Sequence, residues 1–248
     1  MRSGTGPGGQ PWLYGLHAVR AALANPDRRF RRLLIADNFA GDLLQEAGNL
    51  PIQPEVVERE LIDAVLPPGA VHQGVALLAD PLVELDVREI GEMAESLPRT
   101  VVVALDQVTD PQNVGAVLRS ASAFGASAVI VPERHAPETT GALAKAASGA
   151  LEAVPLLRPT NLVRALDTLK AAGFWIVGLD MNAPQTLAEA DLPARCVLAL
   201  GAEGRGLRRL TQETCDIMVR IPMSGDIESL NVSASAAVSL YEWARQGS

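Results

Sequence analysis

The sequence predicts an α/β protein: a small mixed α/β unit at the N-terminus, then a larger domain built on a parallel sheet. From residue 99 onward, short apolar runs alternate with stretches of helical periodicity. Strands that are apolar throughout belong to sheets covered on both faces, which is the signature of parallel α/β domains. Before that point a shorter set of alternating elements ends in a polar segment containing prolines. Size agrees, since 248 residues, 48% of them apolar, can bury one large core or two modest ones.

Residues 1–10 have no apolar stretch and read as a disordered lead-in rather than a signal sequence, with the first domain over 11–78. There WLYGLHAVRAAL (12–23) has helical spacing, RRLLIAD (31–37) reads as a strand and GDLLQEAGNL (41–50) as a helix. A second strand is expected over 53–57, a short helix over 58–66 and a closing strand over 73–78. Residues 79–98 carry acids and prolines and read as a linker plus an entry helix, weakly amphipathic at most. The second domain, 99–248, contains the runs TVVVALD (100–106), ASAVIVP (126–132), LEAVPLL (151–157), FWIVGLD (174–180), RCVLALG (195–201) and DIMVRIP (216–222). Parallel sheets bind ligands in the crevice beyond the carboxyl ends of their strands, so the informative residues are those just after these runs.

Three clusters stand there. In the first, DQVTDPQNVGAVLRSASAFGA (106–126), Pro111 suits a first helical turn, and Asp110 or Asn113 can cap it. Val114, Val117, Leu118 and Ala121 form the apolar stripe. Arg119 lies about 140° from Val114 and points away from it. The second, LALGAEGRGL (198–207), places Gly201, Gly204 and Gly206 around Glu203. That is G-x-x-G-x-G, the reverse of the dinucleotide fingerprint, and it lacks the Gly-Lys-Ser/Thr of a phosphate loop. A glutamate among glycines repels phosphate and suits a ligand that is cationic or uncharged, packed on bare backbone. The third, IPMSGDIESLNVSASAAVSLYEW (221–243), has an apolar rim at Ile221-Pro222-Met223. Ser229 or Asn231 can cap the next helix, whose first turns are small residues expected to be deeply packed.

The net charge of −8 argues against a broad polyanion-binding surface. Its distribution is uneven, with six arginines and one acid before residue 36, and Arg28, Arg29, Arg31 and Arg32 nearly contiguous. Such a patch can steer a polyanion to one face. Cys196 and Cys215 sit in apolar surroundings and read as buried thiols of a reducing compartment rather than a disulfide. No run is long and apolar enough to span a bilayer, so the expectation is a cytoplasmic protein without a membrane. His17, His72 and His135 are isolated from one another and show no metal-ligand spacing.

Taken together, N113-V-G-A-V-L-R119, L200-G-A-E203-G-R-G206-L and I221-P-M-S-G-D-I-E-S-L-N231-V-S233 resemble the three motifs of the SpoU (TrmH-like) RNA ribose 2′-O-methyltransferases of the SPOUT superfamily. The match spans residues 99 to 246 in order. DQVTDP and the A-S-G-A-x-E-x-V-P segment at 147–155 bring it nearest to members that methylate a guanosine in 23S rRNA. The resemblance implies a deep trefoil knot in the second domain and an L30e-like RNA-binding fold in the first. It implies S-adenosyl-L-methionine as cofactor, with S-adenosyl-L-homocysteine as product and no metal. Cofactor contacts would come from Leu200, Gly201, Ala202, Gly206, Ile221, Met223 and Leu230, with Met223 in the adenine pocket. Asn113, Arg119, Glu203, Asn231 and Ser233 would be the catalytic set, and Arg28, Arg29, Arg31 and Arg32 would contact RNA. A guanidinium has a pKa above about 12 and no acceptor when charged, so chemistry favours Arg119 as an electrostatic anchor over a general base. A homodimer through the knotted domain is also implied. The alternatives are the same chemistry on tRNA or another rRNA site, and a non-catalytic RNA-binding or ribosome-assembly factor.

Overall fold

The structure, a computed structural model, describes residues 11–37, 50–134, 137–224 and 229–247. The lead-in and, apart from Leu50, the helix expected over 41–50 lie outside the described residues. The chain forms two units, residues 1–83 with 137–153, and residues 84–136 with 154–248.

In the first unit, β1 (Trp12–Tyr14), α1 (Leu16–Ala24), β2 (Phe30–Ala36), β3 (Pro54–Val57), α2 (Arg59–Val65) and β4 (Val75–Ala79) build a sheet of order β1-β4-β2-β3. β4 runs antiparallel to β1 and β2, and β3 runs parallel to β2. Leu34, Ala36, Ile62 and Ala76 pack with Trp12 and Tyr14 as its core. The helix expected over 12–23 starts only at Leu16. Gly15, at φ 89°, takes a left-handed turn open to glycine, and the residues before it pair as a strand.

The second unit begins with α3 (Val87–Glu95), followed by β5 (Thr100–Asp106), α4 (Pro111–Ala123) and β6 (Ala128–Ile130). The helix α5 (Gly141–Ala147) and a 3-10 turn at Ala150–Glu152 belong to the first unit. The second unit resumes with β7 (Leu156–Leu157), α6 (Leu162–Ala171), β8 (Trp175–Leu179), β9 (Gln185–Thr186), β10 (Arg195–Gly201), α7 (Arg209–Thr214), β11 (Ile217–Arg220) and α8 (Val232–Arg245). Its sheet has the order β7-β6-β5-β10-β8-β11-β9, and every pairing is parallel. β5 is buried along its whole length, as a central strand between two helical layers must be. The carboxyl ends of all seven strands therefore face one edge.

Three expectations need correction. The entry helix within 79–98 is present but not weakly amphipathic: Asp86 and Glu89 form a capping box for α3, and Val87, Ile90 and Ala94 enter the core of the second unit. The run LEAVPLL yields only a two-residue strand, Leu156–Leu157, since its first residues lie in the 3-10 turn of the first unit, where Glu152 pairs with Arg28. That arginine is the third correction. Its guanidinium pairs with Glu152 at 2.8 Å, with side-chain exposures of 2% and 8%. It also donates to the Asp80 carbonyl oxygen at 2.7 Å, and Asn25 Nδ2 donates to Glu152 at 2.8 Å. Arg28 is a buried strut, not an RNA contact. Arg31 pairs with Asp80 at 2.7 Å and Arg32 with Glu55 at 2.6 Å, which lowers both carboxyl pKa values and raises both guanidinium values. Arg29 is exposed and has no ion pair among the described residues. Most of the basic patch is thus neutralised locally.

His72 is buried, accepting from the Gly74 backbone N–H at Nδ1 (3.2 Å), with Nε2 facing Asp63 (3.1 Å). Burial, the dominant cause, pushes its pKa down. His17 is exposed, and His135 lies outside the described residues. Burial also pushes both thiols up to about 12, so neither is a ready nucleophile.

Two outcomes are expected. Glu152→Ala strands the Arg28 charge in the interior and should destabilise the fold by about 3–5 kcal/mol in urea unfolding, and adding Arg28→Ala should recover part of that loss. A thiol reagent at pH 8 should label neither cysteine in the native protein and both after denaturation.

Candidate active site

The site begins where β10 ends. Gly201 lies opposite Asp106 in the parallel register with β5. The chain then turns back on itself: the Ala202 carbonyl accepts from the backbone N–H groups of Arg205 (3.3 Å) and Gly206 (2.9 Å). Gly204 and Gly206 have φ values of 73° and 64°, in the left-handed region that favours glycine. Gly201 answers a different demand, since a Cβ there would overlap the Gly206 carbonyl carbon. The far side of the loop is tied to β5. Asp106, fully buried, accepts from the Arg208 backbone N–H (3.0 Å), Arg208 Nε (2.7 Å) and Thr211 Oγ1 (2.7 Å).

Above this loop is a cavity of about 300 Å³. All seven expected cofactor residues line it: Leu200, Gly201, Ala202, Gly206, Ile221, Met223 and Leu230. Val232 extends the apolar side, while Asp180 and Glu203 supply carboxylates and Arg205 a cation. The sequence reading missed Leu179, Asp180, Met181 and Asn182, which lie at the end of β8 and just beyond it and form another wall. The crevice rule applied to FWIVGLD would have found them. An S-adenosylmethionine molecule fits this lining. Apolar side chains suit an adenine, the bare Gly201–Gly206 backbone permits close approach, and two carboxylates suit a cation where they would repel a phosphate.

Beside the cavity, the Asn231 amide joins three elements. Its Nδ2 donates to Asn113 Oδ1 at 3.0 Å and to Glu203 Oε1 at 2.7 Å. Its Oδ1 accepts from the Ser233 backbone N–H at 2.8 Å and from Ser233 Oγ at 2.6 Å. Asn231, not Ser229, is therefore the N-cap of α8. At α4 the cap is Asp110, which accepts from the Gln112 backbone N–H at 2.9 Å. That leaves the Asn113 side chain for Asn231. The small residues of α8 are less buried than expected: Ala236 is fully covered, Ser233, Ser235 and Ala237 are half-buried, and Ala234 is exposed. Their smallness opens room at the cavity, which Ser235 lines.

Four of the five expected catalytic residues, Asn113, Glu203, Asn231 and Ser233, are thus brought together by hydrogen bonds. Arg119 is not among them. It is exposed, with no hydrogen bond or ion pair among the described residues. Six positions beyond Asn113 on α4, it lies about 9 Å farther along the axis and about 120° around it.

The SpoU rRNA Methylase family model matches residues 100–241, and a model for RNA 2'-O ribose methyltransferase substrate binding matches residues 12–84. The chain belongs to the SpoU family. Among curated relatives it is 40% identical over 241 residues to the 23S rRNA (guanosine-2'-O-)-methyltransferase RlmB of Pseudomonas putida, covering 94% of this chain and 96% of that one. It is 38% identical over 240 residues to RlmB of Escherichia coli K12, covering 95% and 98%. Among solved structures, the SpoU methyltransferase AviRb from Streptomyces viridochromogenes in complex with AdoMet superposes with a TM-score of 0.78 at 25% identity, covering 95% and 90%. Among the described residues of this SpoU-family chain, no helix is long and apolar enough to cross a membrane.

Asn231→Asp tests the amide. Aspartate caps a helix as well as asparagine does, so the thermal midpoint should hold within the equivalent of about 1 kcal/mol. The new carboxylate would face Glu203 with no donor between them, and methyl transfer should fall at least about tenfold.

Proposed function

We propose that the protein transfers a methyl group from S-adenosylmethionine to a ribose 2′-hydroxyl of RNA, with a guanosine of 23S rRNA as the target. The observation that carries this is a juxtaposition. A cavity floored by the Gly201–Gly206 backbone lies directly beside a hydrogen-bonded cluster of Asn113, Glu203, Asn231 and Ser233. The names of the RlmB relatives, which match along nearly the whole of both chains, support the target.

When bound, S-adenosylmethionine supplies an electrophilic methyl carried on a sulfonium. The protein must then align an acceptor oxygen and stabilise charge as the hydroxyl loses its proton, and alignment alone is worth about 7–11 kcal/mol of barrier. Asn231 does the local positioning. Both amide hydrogens and the amide oxygen are committed, so the carboxylate of Glu203 and the hydroxyl of Ser233 are held at the mouth of the cavity. Arg119 supplies a cation for the neighbouring phosphate and for developing alkoxide charge. Its isolation from the other four residues supports a homodimer in which it serves the partner's site. Tyr241 of α8, packed edge-to-face on Phe124 at 6.1 Å, and Val238 offer exposed apolar surface for such contact.

A trefoil knot belongs to the same reading. Its support is the insertion of β10, late in the chain, between β5 and β8, together with the close passage of Gly201 against Gly206. The first unit, matched by the substrate-binding model, would receive the RNA in the cytoplasm, with the exposed Arg29 available to phosphates and Arg31 and Arg32 able to contact them only by leaving Asp80 and Glu55. Arg28 has no part in this.

Calorimetric titration with S-adenosylmethionine should show one site per chain. Arg119→Ala should lower methyl transfer by roughly two to three orders of magnitude while leaving that affinity near wild type. Tenfold weaker cofactor binding with turnover retained would reverse the assignment. Mapping ribose methylation in cellular RNA with and without the protein identifies the nucleotide.

A further inference from the structure

The order of strands along the sheet sets out the cavity as a row of stations, and one of them has no assigned occupant. Neighbouring strands lie about 4.8 Å apart, and the order β5-β10-β8-β11 puts their carboxyl ends in sequence. Asn113 comes after β5 and Glu203 after β10. Ile221 and Met223 come after β11 and are apolar. Between them, after β8, stands Asp180, in the cavity wall and half-buried.

The Asp180 carboxylate is fixed but not saturated. Oδ1 accepts from the Asn182 backbone N–H at 2.8 Å, and Oδ2 accepts from Gln212 Nε2 at 3.1 Å. Both donors are neutral, and Asp180 has no ion pair with a cation among the described residues. Each carboxylate oxygen has two acceptor directions, so among the described residues one remains open on each. Two adjacent, charged acceptors are the complement of two hydroxyl donors on adjacent carbons.

We infer that Asp180 binds the vicinal 2′- and 3′-hydroxyls of the cofactor's own ribose, an inference that rests on the cofactor assignment above. The order of stations fits the connectivity of that molecule. The acceptor hydroxyl arrives by Asn113 and Glu203, so the sulfonium end belongs near β10 and the adenine against the apolar residues after β11. The ribose, which links the two, falls at β8. Asp180 lies two strands, about 10 Å, from the β5 edge, too far to act on the transferred methyl. Gln212, from α7, positions the carboxylate and contacts no ligand itself.

The test is equilibrium binding by calorimetry, using S-adenosylmethionine, S-adenosylhomocysteine and the 2′-deoxy and 3′-deoxy forms of the latter. Wild type should bind each deoxy analogue more weakly than the parent. Asp180→Ala should weaken S-adenosylmethionine and S-adenosylhomocysteine equally, by roughly ten- to hundredfold for charge-assisted hydrogen bonds, and should lose discrimination against the deoxy analogues, with an unchanged thermal midpoint. Three results overturn the inference: wild type binding the deoxy analogues as tightly as the parent, the variant keeping that discrimination, or the variant losing affinity for the sulfonium ligand alone. The first needs no variant and stands whatever the substitution does to folding. Failure of wild type to bind either parent ligand would instead overturn the cofactor assignment.

Discussion

The site depends on two backbones passing where no side chain fits. At Gly201 a single added carbon would overlap the Gly206 carbonyl carbon. This contact lets β10 end, turn through Ala202–Arg205 and return within one short loop, closed by the Ala202 carbonyl. Because the loop is tight, Glu203 projects from it toward α8. Because Asp106 grips Arg208 and Thr211 on its far side, it is held against the end of β5. A looser loop would give neither a cavity floor of bare peptide nor a carboxylate at its mouth.

From that loop the geometry propagates through one side-chain amide. Asn231 caps α8 with its oxygen and holds Asn113 and Glu203 with its nitrogen. The residue that starts α8 is therefore also the one that sets the relative positions of α4 and the glycine loop. Four bonds leave little freedom for an amide with two donors and one acceptor atom. Rigidity at this point is what a reaction limited by alignment needs.

Charge is distributed with similar economy. Several arginines serve the fold: Arg28 is buried against Glu152, Arg208 bridges to Asp106, and Arg220 donates to the Ala183 and Pro184 carbonyls. Arg31 and Arg32 are matched one-to-one with carboxylates at the surface, where each pair contributes about 0–1 kcal/mol and leaves little net field. A contiguous run of arginines in sequence is thus a poor guide to a basic surface. Arg119, without such a partner among the described residues, stays available for work outside its own network.

Much of the site was legible from residue order alone. Apolar runs marked the strands, the crevice rule pointed to the residues just beyond their carboxyl ends, and reversed glycine spacing excluded the two common nucleotide loops. The crevice rule reaches the Asp180 wall as well, since it follows β8 directly, but an aspartate after a strand has no motif of its own to single it out, and the Gln212 contact that fixes its carboxylate comes from α7. Long-range pairing also places segments whose local pattern is ambiguous. Residues 137–153 belong to the first unit, where Glu152 meets Arg28, a partner 124 positions away. Local pattern determined which residues form strands and helices and which turns carry chemistry, because periodicity, caps and glycine conformations act over a few residues. Tertiary structure alone decided which cations are spent on internal pairing, which amide becomes the junction and which carboxylate enters the cavity, because those outcomes depend on distances between residues that the chain does not place side by side.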